Sequence, residues 1–463
     1  MSDTLIDTLF GSAVDAAELV KRRVVSSREL TEMALDRIDE VNPTVNAVVE
    51  LRAEEALQEA AAVDDTTVHS GLGPLHGVPM TVKEAFNVTG MHTTWGNPYL
   101  KEYVAEWDAT VVRRLRKAGA VIVGKTNVPF MLGDFGQTAN ELYGVTNNPW
   151  DPTRSPGGSS GGAAAAVAAG MSFLEYGSDL AGSIRIPAGF CGVYGLKPSV
   201  GLVPGTGFQP PGPPAPQSEM AYMSSLGPLA RTVRDLRAAL EATAGPEPPA
   251  GSAYTWRLPP PRHSTLREHR IGLVLDHEAA PVSSEVGSVL SDTADAMATA
   301  GATVIEGWPK DTNPTEDFES FGFHVGLFLA YNEPGESPFT VPEYFDHERR
   351  RMSARAAWER CFEDIDVFLC PTNFTPAFPH DGRPFEDRTV ETTEGPLPYE
   401  VQPFWISHAS LAGLPAVAAP VGNTPSGLPV GAQMIGPPYE DDTVLTCAEL
   451  VADVVGGFER PPI

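Results

Sequence analysis

The amino-acid sequence predicts a layered α/β fold, because short apolar runs alternate with amphipathic segments in two separate parts of the chain. In the first part, an apolar run at residues 78–82 precedes an amphipathic stretch at 110–118 and a second run at 120–123. Residues 271–305 repeat this order. Continuous apolar runs of this length are typical of strands buried on both faces. Further core strands are predicted at residues 365–369, 416–419 and 430–435.

The N-terminal part of the chain is predicted to be helical and to supply packing rather than chemistry. Ser26 and Glu29 have the spacing of a capping box. Apolar residues then recur with helical spacing until Asn42 and Pro43, where we expect the helix to end.

The chain is strongly acidic, and this excludes several classes of function. Its 463 residues include 32 Lys and Arg against 60 Asp and Glu, a formal charge of −28. An acidic surface repels phosphate groups, so we expect no nucleic-acid partner and no membrane partner. The four cysteines are dispersed without metal-ligand spacing, and no apolar stretch is long enough to span a membrane. Because of this spacing we expect no metal site. Because the first residues lack a signal-peptide pattern, we expect a cytoplasmic protein.

Two short motifs match functional patterns whose structural context is missing. Residues 119–126 match the Walker A pattern, but the positions between its glycines form an apolar strand rather than a flexible loop. Residues 158–162 match G-x-S-x-G with Ser160 as the nucleophile, although a turn sequence and not a strand precedes them. An α/β-hydrolase esterase that uses Ser160, with His408 as its base, therefore stays as an alternative.

Two glycine- and serine-rich blocks, at residues 156–162 and 177–188, have the features of a catalytic site. The first block leads directly into an alanine-rich helix, whose N-terminus stabilises negative charge. The second consists of small residues, which let backbone N–H groups approach a substrate as an oxyanion hole requires. Upstream, Lys83 ends an apolar strand, and partial burial lowers the pKa of a lysine toward the range in which it acts as a base.

Six motifs in this order resemble those of the amidase signature family, and the resemblance spans nearly the whole chain. The motifs are GVPxxxK ending at Lys83, GKTN at residues 124–127, NPW at 148–150, GGSSGG at 157–162, GSIRxPA at 182–188 and GLKP at 195–198. Single glycine motifs arise by chance, whereas the ordered set is highly specific. The resemblance implies the family's fold, an α/β/α sandwich around a central mixed β-sheet, and its hydrolase activity on carbon–nitrogen bonds.

The resemblance also implies a Ser/cis-Ser/Lys triad. Ser183 matches the family's nucleophile, Ser159 matches the bridging serine whose preceding peptide bond is cis, and Lys83 matches the base. Serine needs a neighbouring base, and lysine accepts a proton only when it is neutral, so the pKa of Lys83 must fall from about 10.4 toward the working pH. Each residue alone also has a structural interpretation, such as helix capping by Ser159, but the ordered set favours the triad.

The family's oxyanion hole corresponds to the backbone N–H groups of Leu180, Ala181, Gly182 and Ser183. Ala181 departs from the family pattern, which has glycine there, and alanine excludes some backbone angles that are open to glycine. This substitution either alters the geometry of the oxyanion hole or trims the floor of the pocket.

Variable loops around the cleft are expected to determine which substrate binds. The residues predicted to line the substrate site are Trp95, Phe130, Met131, Gly136 and Gln137. Aromatic residues also concentrate at 316–345, a segment that we interpret as a lid. This apolar character predicts a hydrophobic or aryl amide or anilide, and a carbamate (urethane) presents the same carbonyl and amine.

We expect one amidase domain over residues 1–463. Within it, the sequence predicts N-terminal helices at 1–65, the signature core at 70–205, a proline-rich excursion at 206–262 and the second half of the core at 263–463.

The sequence therefore predicts a stand-alone amidase that acts on a small-molecule amide or carbamate. Serine, lysine and backbone donors suffice for this reaction, so no cofactor is expected. A homodimer is the default oligomer. The alternative within the family is the glutaminase subunit of a tRNA-dependent amidotransferase, although the resemblance weakens after residue 204. A catalytically silent binding module is disfavoured, because all the triad positions are filled.

Overall fold

A computed structural model describes residues 7–65, 71–208, 223–332, 338–392 and 395–463 of the chain. The strands in chain order are β1 Val48–Leu51, β2 Pro79–Lys83, β3 Val121–Thr126, β4 Ala139–Asn140, β5 Gly144–Val145, β6 Leu174–Asp179, β7 Tyr194–Lys197, β8 Ser225–Ala230, β9 Arg270–Leu273, β10 Thr303–Glu306, β11 Val367–Pro371, β12 Thr389–Thr392, β13 Gly395–Pro398, β14 Ala416–Asn423 and β15 Pro429–Ile435. The helices in chain order are α1 Ala13–Lys21, α2 Ser27–Val45, α3 Ala53–Asp64, α4 Thr110–Lys117, α5 Gly161–Ala168, α6 Arg185–Cys191, α7 Val233–Thr243, α8 Ser284–Thr299, α9 Pro314–Asn332, α10 Val341–Asp364, α11 Phe404–Ala412 and α12 Asp441–Val455.

A mixed sheet lies at the centre of the fold. Within the described residues it has eight strands, in the order β10-β9-β11-β15-β14-β7-β8-β6. The strands β10, β9 and β11 run parallel, and the other neighbouring pairs are antiparallel.

Helices pack on both faces of this sheet. In β14, Val417 and Ala419 belong to the apolar cluster that includes α8 and α12, whereas Ala418 belongs to the cluster that includes α5 and part of α6. Successive side chains of a strand point to opposite faces, so the two clusters lie on opposite sides of the sheet. The predicted α/β/α layering is confirmed.

The first predicted strand–helix–strand unit forms a separate sheet. The strands β2 and β3 are parallel, and β1 adds to β3 in the antiparallel sense. The N–H of Thr81 in β2 donates to the hydroxyl of Ser172, which lies just before β6, at 3.0 Å. The second unit, β9 and β10 with α8 between them, forms one edge of the central sheet. The sequence does not predict strands β6, β7 and β8, because glycine, proline and polar residues interrupt their apolar pattern.

The start of α2 follows the sequence prediction, and its end does not. The capping box is confirmed, since Ser26 and Glu29 each accept from the backbone N–H of the other. The predicted end at Asn42 and Pro43 is wrong, because α2 continues to Val45. A proline near the end of a helix removes only one backbone donor, and the Asn42 side chain accepts from two N–H groups that follow the helix.

Two predicted segments are only partly described. Residues 209–222 of the proline-rich excursion lie outside the described residues, and so do residues 333–337 of the segment interpreted as a lid. The described parts of that segment belong to α9, to residues 338–340 and to the beginning of α10. The lid and the single-domain organisation stay predictions.

Arg231 connects the two ends of the chain to the central sheet. It directly follows β8, and its side chain is buried. Its guanidinium also lies 6.0 Å from the ring of Phe458 near the C-terminus. The guanidinium donates to the backbone carbonyls of Leu9, Phe10, Gly11, Val167 and Ser172.

We expect Arg231→Met to lower the free energy of unfolding by about 3 kcal/mol, because several buried carbonyls would lose their donor. Arg234→Met is the matched control, since Arg234 is 52% exposed and pairs with the exposed Asp15. The control should change stability by less than about 0.5 kcal/mol. Urea unfolding followed by circular dichroism measures both variants. Equal losses in the two would contradict the role of Arg231.

Candidate active site

The side chain of Lys83 lies at the centre of a buried polar cluster. Lys83 is the last residue of β2 and is 0% exposed. Its Nζ lies 2.7 Å from the Oγ of Ser159 and 2.9 Å from the Oγ atoms of both Ser160 and Ser178. A neutral amine has two N–H donors and one lone pair, so these hydroxyls match its full hydrogen-bonding capacity.

Burial lowers the pKa of Lys83 from its ordinary 10.5 to about 7. The carboxylates of Asp179 and Glu175 oppose this shift, because negative charge favours the ammonium form. Burial also raises the pKa of Glu175 to about 8, which weakens its negative charge near neutral pH. The amine of Lys83 is thus partly neutral near pH 7, the state in which it accepts a proton.

Ser159 and Ser160 lie on the tight loop that leads into α5. The peptide bond between Gly158 and Ser159 is cis, as the resemblance implies. A Cβ atom at Gly158 would lie 2.3 Å from the carbonyl oxygen of Gln137, so only glycine fits at this position. The N–H of Ser160 donates to the carbonyl of Ser183 at 3.1 Å. This hydrogen bond joins the two glycine- and serine-rich blocks.

The carboxylate of Asp179 organises the loop that carries Ser183. Its oxygens accept from the side chain of Arg185 at 2.8 and 3.0 Å. Burial favours the neutral acid, but the charge and hydrogen bonds of Arg185 outweigh it and hold the pKa of Asp179 below its ordinary value. The carboxylate also accepts from three backbone N–H groups of the loop, those of Gly182, Ile184 and Arg185.

Arg185 connects this loop to the second half of the chain. Its guanidinium donates to the carbonyl of Ile406 at 2.8 Å, to Oε1 of Gln433 at 2.5 Å and to Oγ of Ser410 at 2.7 Å. Gln433 in turn donates to the carbonyl of Trp405 at 2.8 Å. Because these partners belong to α11 and β15, the position of the loop depends on both halves of the chain.

The predicted oxyanion-hole residues differ in whether their N–H groups are available. Gly182 has a φ of 89°, and its N–H donates to Asp179. Among the described residues, the N–H groups of Leu180, Ala181 and Ser183 have no acceptor. Gly182 is therefore not a free donor. The φ of Ala181 is not positive, and Gly182 is the residue of this loop that adopts the left-handed conformation. Alanine therefore fits at position 181.

A cavity of 590 Å³ opens next to Ser183. Leu180 and Ala181 line it together with the serine. The walls come from the loop at residues 132–135, from α9 and from the segment 385–403. Most of them are apolar, and they include Leu132, Phe135, Phe318, Phe321, Val325 and Val401.

The residues predicted to line the substrate site lie outside the lining of this cavity. Trp95 is buried in the hydrophobic core, Phe130 is 52% exposed, and Met131 packs against the core. Gly136 and Gln137 do not line the cavity. Their N–H groups donate to the carboxylate of Asp134, which does line it. The residues of this region that do line the cavity are 132–135. The sequence thus indicated the segment, while its inward-facing residues depend on how the loop folds.

The alternative nucleophile, Ser160, lies against Lys83 rather than against a histidine. Its Oγ contacts the amine of Lys83 and the carbonyl of Ser178. His408 is buried on α11, with its ring centroid 4.7 Å from that of Trp308, and burial lowers its pKa to about 3. In the described chain a loop, and not a strand, leads into Ser160. These observations disfavour the esterase alternative.

The Walker A match does not form a phosphate-binding loop. Its central residues form strand β3, as the sequence predicts. Lys125 is buried there, with its Nζ 2.9 Å from Oγ1 of Thr93 and 3.9 Å from Oε1 of Glu84. The lysine therefore has a buried carboxylate partner within the protein.

Ser178 and Glu175 are the side chains near Lys83 that sequence reasoning missed. Both lie on β6, a strand that the apolar pattern does not predict. The position of Ser178 inside the second glycine- and serine-rich block was its one signal in the sequence. Glu175 precedes that block and had no signal.

Membrane-spanning and metal-binding features are both absent from the described part of the chain. None of its helices combines the length and the apolar character needed to cross a bilayer. It also contains no group of three or more His, Cys, Asp and Glu side chains positioned to hold a metal ion.

Known proteins resemble this chain over nearly its whole length. The sequence model of the family described as Amidase matches residues 29–325 and 335–445. A glutamyl-tRNA(Gln) amidotransferase subunit from Moorella thermoacetica is 34% identical, over 94% of this chain and 95% of the relative.

Solved structures share the fold. One of them is a chain from a vestigial protein complex that reveals the evolutionary origins of an s-triazine catabolic enzyme. It superposes with a TM-score of 0.83 at 30% sequence identity, and the match covers 98% of this chain and 100% of the other. A bacterial aryl acylamidase of the amidase signature family superposes with a TM-score of 0.83 at 25% identity and covers 96% of both chains.

We expect the rate at which a fluorophosphonate labels Ser183 to rise as the pH increases through about 7, because only neutral Lys83 accepts the serine proton. A lysine with its ordinary pKa would place this rise near 10.5. Cleavage after Glu175 separates Ser183 from Ser159 and Ser160, so tandem mass spectrometry locates the adduct. The Lys83→Met variant should not be labelled. An adduct on Ser160, or a rate independent of pH, would contradict the assignment.

We expect Ser178→Ala to slow this labelling about fivefold, because the amine of Lys83 loses one hydrogen-bond partner. The pH midpoint should also fall, since the ammonium form loses an acceptor. The control is Ser225→Ala in the adjacent strand β8, whose hydroxyl bonds to the carbonyl of Pro198 instead. Equal slowing in both variants, with no change in midpoint, would show only a general disturbance of the sheet.

Proposed function

The chain belongs to the Amidase family, hydrolases that act on carbon–nitrogen bonds, and we propose that it cleaves amides of apolar or aryl groups through an acyl-enzyme on Ser183. The cavity beside Ser183 carries this proposal, because aliphatic and aromatic side chains form most of its walls. Such walls bind an apolar group by removing its surface from water, at about 25 cal/mol per Å². The similarity to an aryl acylamidase supports the aryl case.

In the proposed reaction, Ser183 attacks the amide carbonyl as its proton moves to Ser159, which passes its own proton to Lys83. Lys83 accepts it because burial keeps the amine partly neutral, and the Oγ of Ser159 lies 2.7 Å away. The proton then returns through Ser159 to the leaving nitrogen, so the amine departs neutral and an acyl-enzyme remains. Water then attacks the ester of the acyl-enzyme, and its proton passes through Ser159 to Lys83 as before. The proton returns to Ser183 as the acid is released.

Negative charge develops on the carbonyl oxygen during both steps. The free N–H groups at Leu180, Ala181 and Ser183 are the donors proposed to stabilise it. The N–H of Gly182 contributes indirectly, because its hydrogen bond to Asp179 maintains the shape of the loop.

A second candidate is the glutaminase subunit of a tRNA-dependent amidotransferase. The curated relatives support it better than they support a stand-alone amidase, since they are subunits of glutamyl-tRNA(Gln) amidotransferases. The cavity favours the first candidate, because a glutamine substrate carries a carboxylate and no described lysine or arginine lines the cavity to pair with it. The two candidates share the chemistry of Ser183 and differ in the group that is bound.

Carbamates belong to the proposal on chemical grounds alone. An aryl carbamate presents a carbonyl and an amine leaving group to the same nucleophile and donors. The apolar walls suit its aryl group as they suit that of an anilide.

A substrate panel tests the proposed function. It contains p-nitroanilides of acetic, butanoic and hexanoic acid, an aryl carbamate and L-glutamine. We expect kcat/KM to rise about fourfold for each added methylene while the cavity has room, because each buried CH₂ contributes about 0.8 kcal/mol. Ser183→Ala provides the blank. Turnover of L-glutamine without turnover of the anilides would overturn the proposal in favour of the second candidate.

A further inference from the structure

The charged side chains that line the cavity beside Ser183 are all acidic. Among the described residues, Asp134, Glu319 and Glu400 line the cavity, and lysine and arginine are absent from its lining. The segments outside the described residues, 1–6, 66–70, 209–222, 333–337 and 393–394, contain no lysine or arginine in their sequences. None of them can therefore supply a positive lysine or arginine side chain.

The carboxylate of Asp134 already has partners within the protein. Its Oδ2 accepts from Nη1 of Arg388 at 2.5 Å, and its Oδ1 accepts from the hydroxyl of Tyr399 at 2.8 Å. Two backbone N–H groups also donate to Oδ1. The hydrogen-bonding capacity of this carboxylate is therefore largely taken up within the cavity wall.

Glu319 and Glu400 differ from Asp134, because both are exposed and therefore lie at the open end of the cavity. Glu319, on α9, is 61% exposed, and its one ion-pair partner in the described chain is the exposed Arg350 at 3.5 Å. Glu400 lies on the short turn Tyr399–Val401, and its carboxylate has no hydrogen-bond or ion-pair partner among the described residues. The open end of an apolar cavity is thus negatively charged.

We propose that Glu319 and Glu400 are specificity-determining residues that select amides whose cavity-bound group ends in a cation, such as a terminal ammonium beyond an apolar chain. The proposal rests on the proposed function, since it describes what the same cavity accepts. The apolar chain lies along the walls while its charged end reaches water and the two carboxylates, as lysine side chains do at protein surfaces. A terminal carboxylate meets the like charge of these two lining side chains. The net charge of −28 adds a long-range attraction for cations.

Binding to the Ser183→Ala variant tests this selection without any need for turnover. The probes are the p-nitroanilides of 6-aminohexanoic, hexanoic and adipic acid, which have the same chain length and differ in terminal charge. Isothermal titration calorimetry at low salt should show the ammonium compound binding about tenfold more tightly than the carboxylate compound, with the neutral one between them. The preference should weaken as salt is raised, because exposed charges are screened.

Charge-removing variants in the same background assign the preference to residues. Glu319→Gln and Glu400→Gln should each reduce it about threefold, and the double variant should nearly remove it. Glu316→Gln is the matched control, since Glu316 is also exposed on α9 but does not line the cavity. It should leave the preference unchanged.

The outcomes separate this inference from the proposed function. Binding without charge preference, or a preference that survives in the double variant, overturns the inference alone. If Ser183→Ala prefers the ammonium compound but the wild-type protein hydrolyses none of the three anilides, the selection is supported and the proposed function is overturned. Failure of all three to bind overturns both.

Discussion

The buried ion pair between Asp179 and Arg185, beside the loop that carries the proposed nucleophile Ser183, is the interaction on which the rest of the site depends. Removing two charges from water is costly, and such a pair persists only when hydrogen bonds satisfy both partners. Here backbone N–H groups of the loop satisfy the carboxylate, while Gln433 and groups on α11 satisfy the guanidinium. The same carboxylate takes up the N–H of Gly182 and raises the pKa of Lys83. The carboxylate of Asp179 therefore acts both on the backbone of the loop and on Lys83, where its charge opposes the larger effect of burial.

Three lysines in the described chain are fully buried, and their partners give them different roles. Lys125 donates to the hydroxyl of Thr93 and also lies near the buried carboxylate of Glu84, whose charge favours the ammonium form. Lys197 donates to backbone carbonyls, one of them that of Leu414 at 2.8 Å, which hold it in place without exchanging protons. Lys83 contacts serine hydroxyls, groups that both donate and accept. Burial lowers the pKa of all three, so it is the chemistry of the partner that makes Lys83 the proposed base.

The residues proposed for catalysis and most of the cavity wall come from different parts of the chain. Lys83, Ser159 and Ser183 all belong to the first half, whereas α9 and the segment 385–403 supply much of the cavity wall. The hydrogen bonds of Arg185 to α11 and β15 join the two halves directly under the loop. The walls can therefore change with the substrate while the serines and the lysine keep their geometry.

The sequence by itself determined the layered fold, because apolar runs are local properties, set by residues close to one another along the chain. The order of its motifs carried the resemblance to the amidase signature family, and that resemblance implied the residues proposed for the triad. The tertiary structure decided which hydroxyls surround Lys83, which N–H groups of the loop remain free, and which residues face the cavity. Ser178 lies 95 positions after Lys83 and contacts it only because β6 packs beside β2. Glu319 and Glu400 line one cavity although they belong to separate elements. Such contacts depend on packing between distant segments, which no local pattern in the sequence encodes.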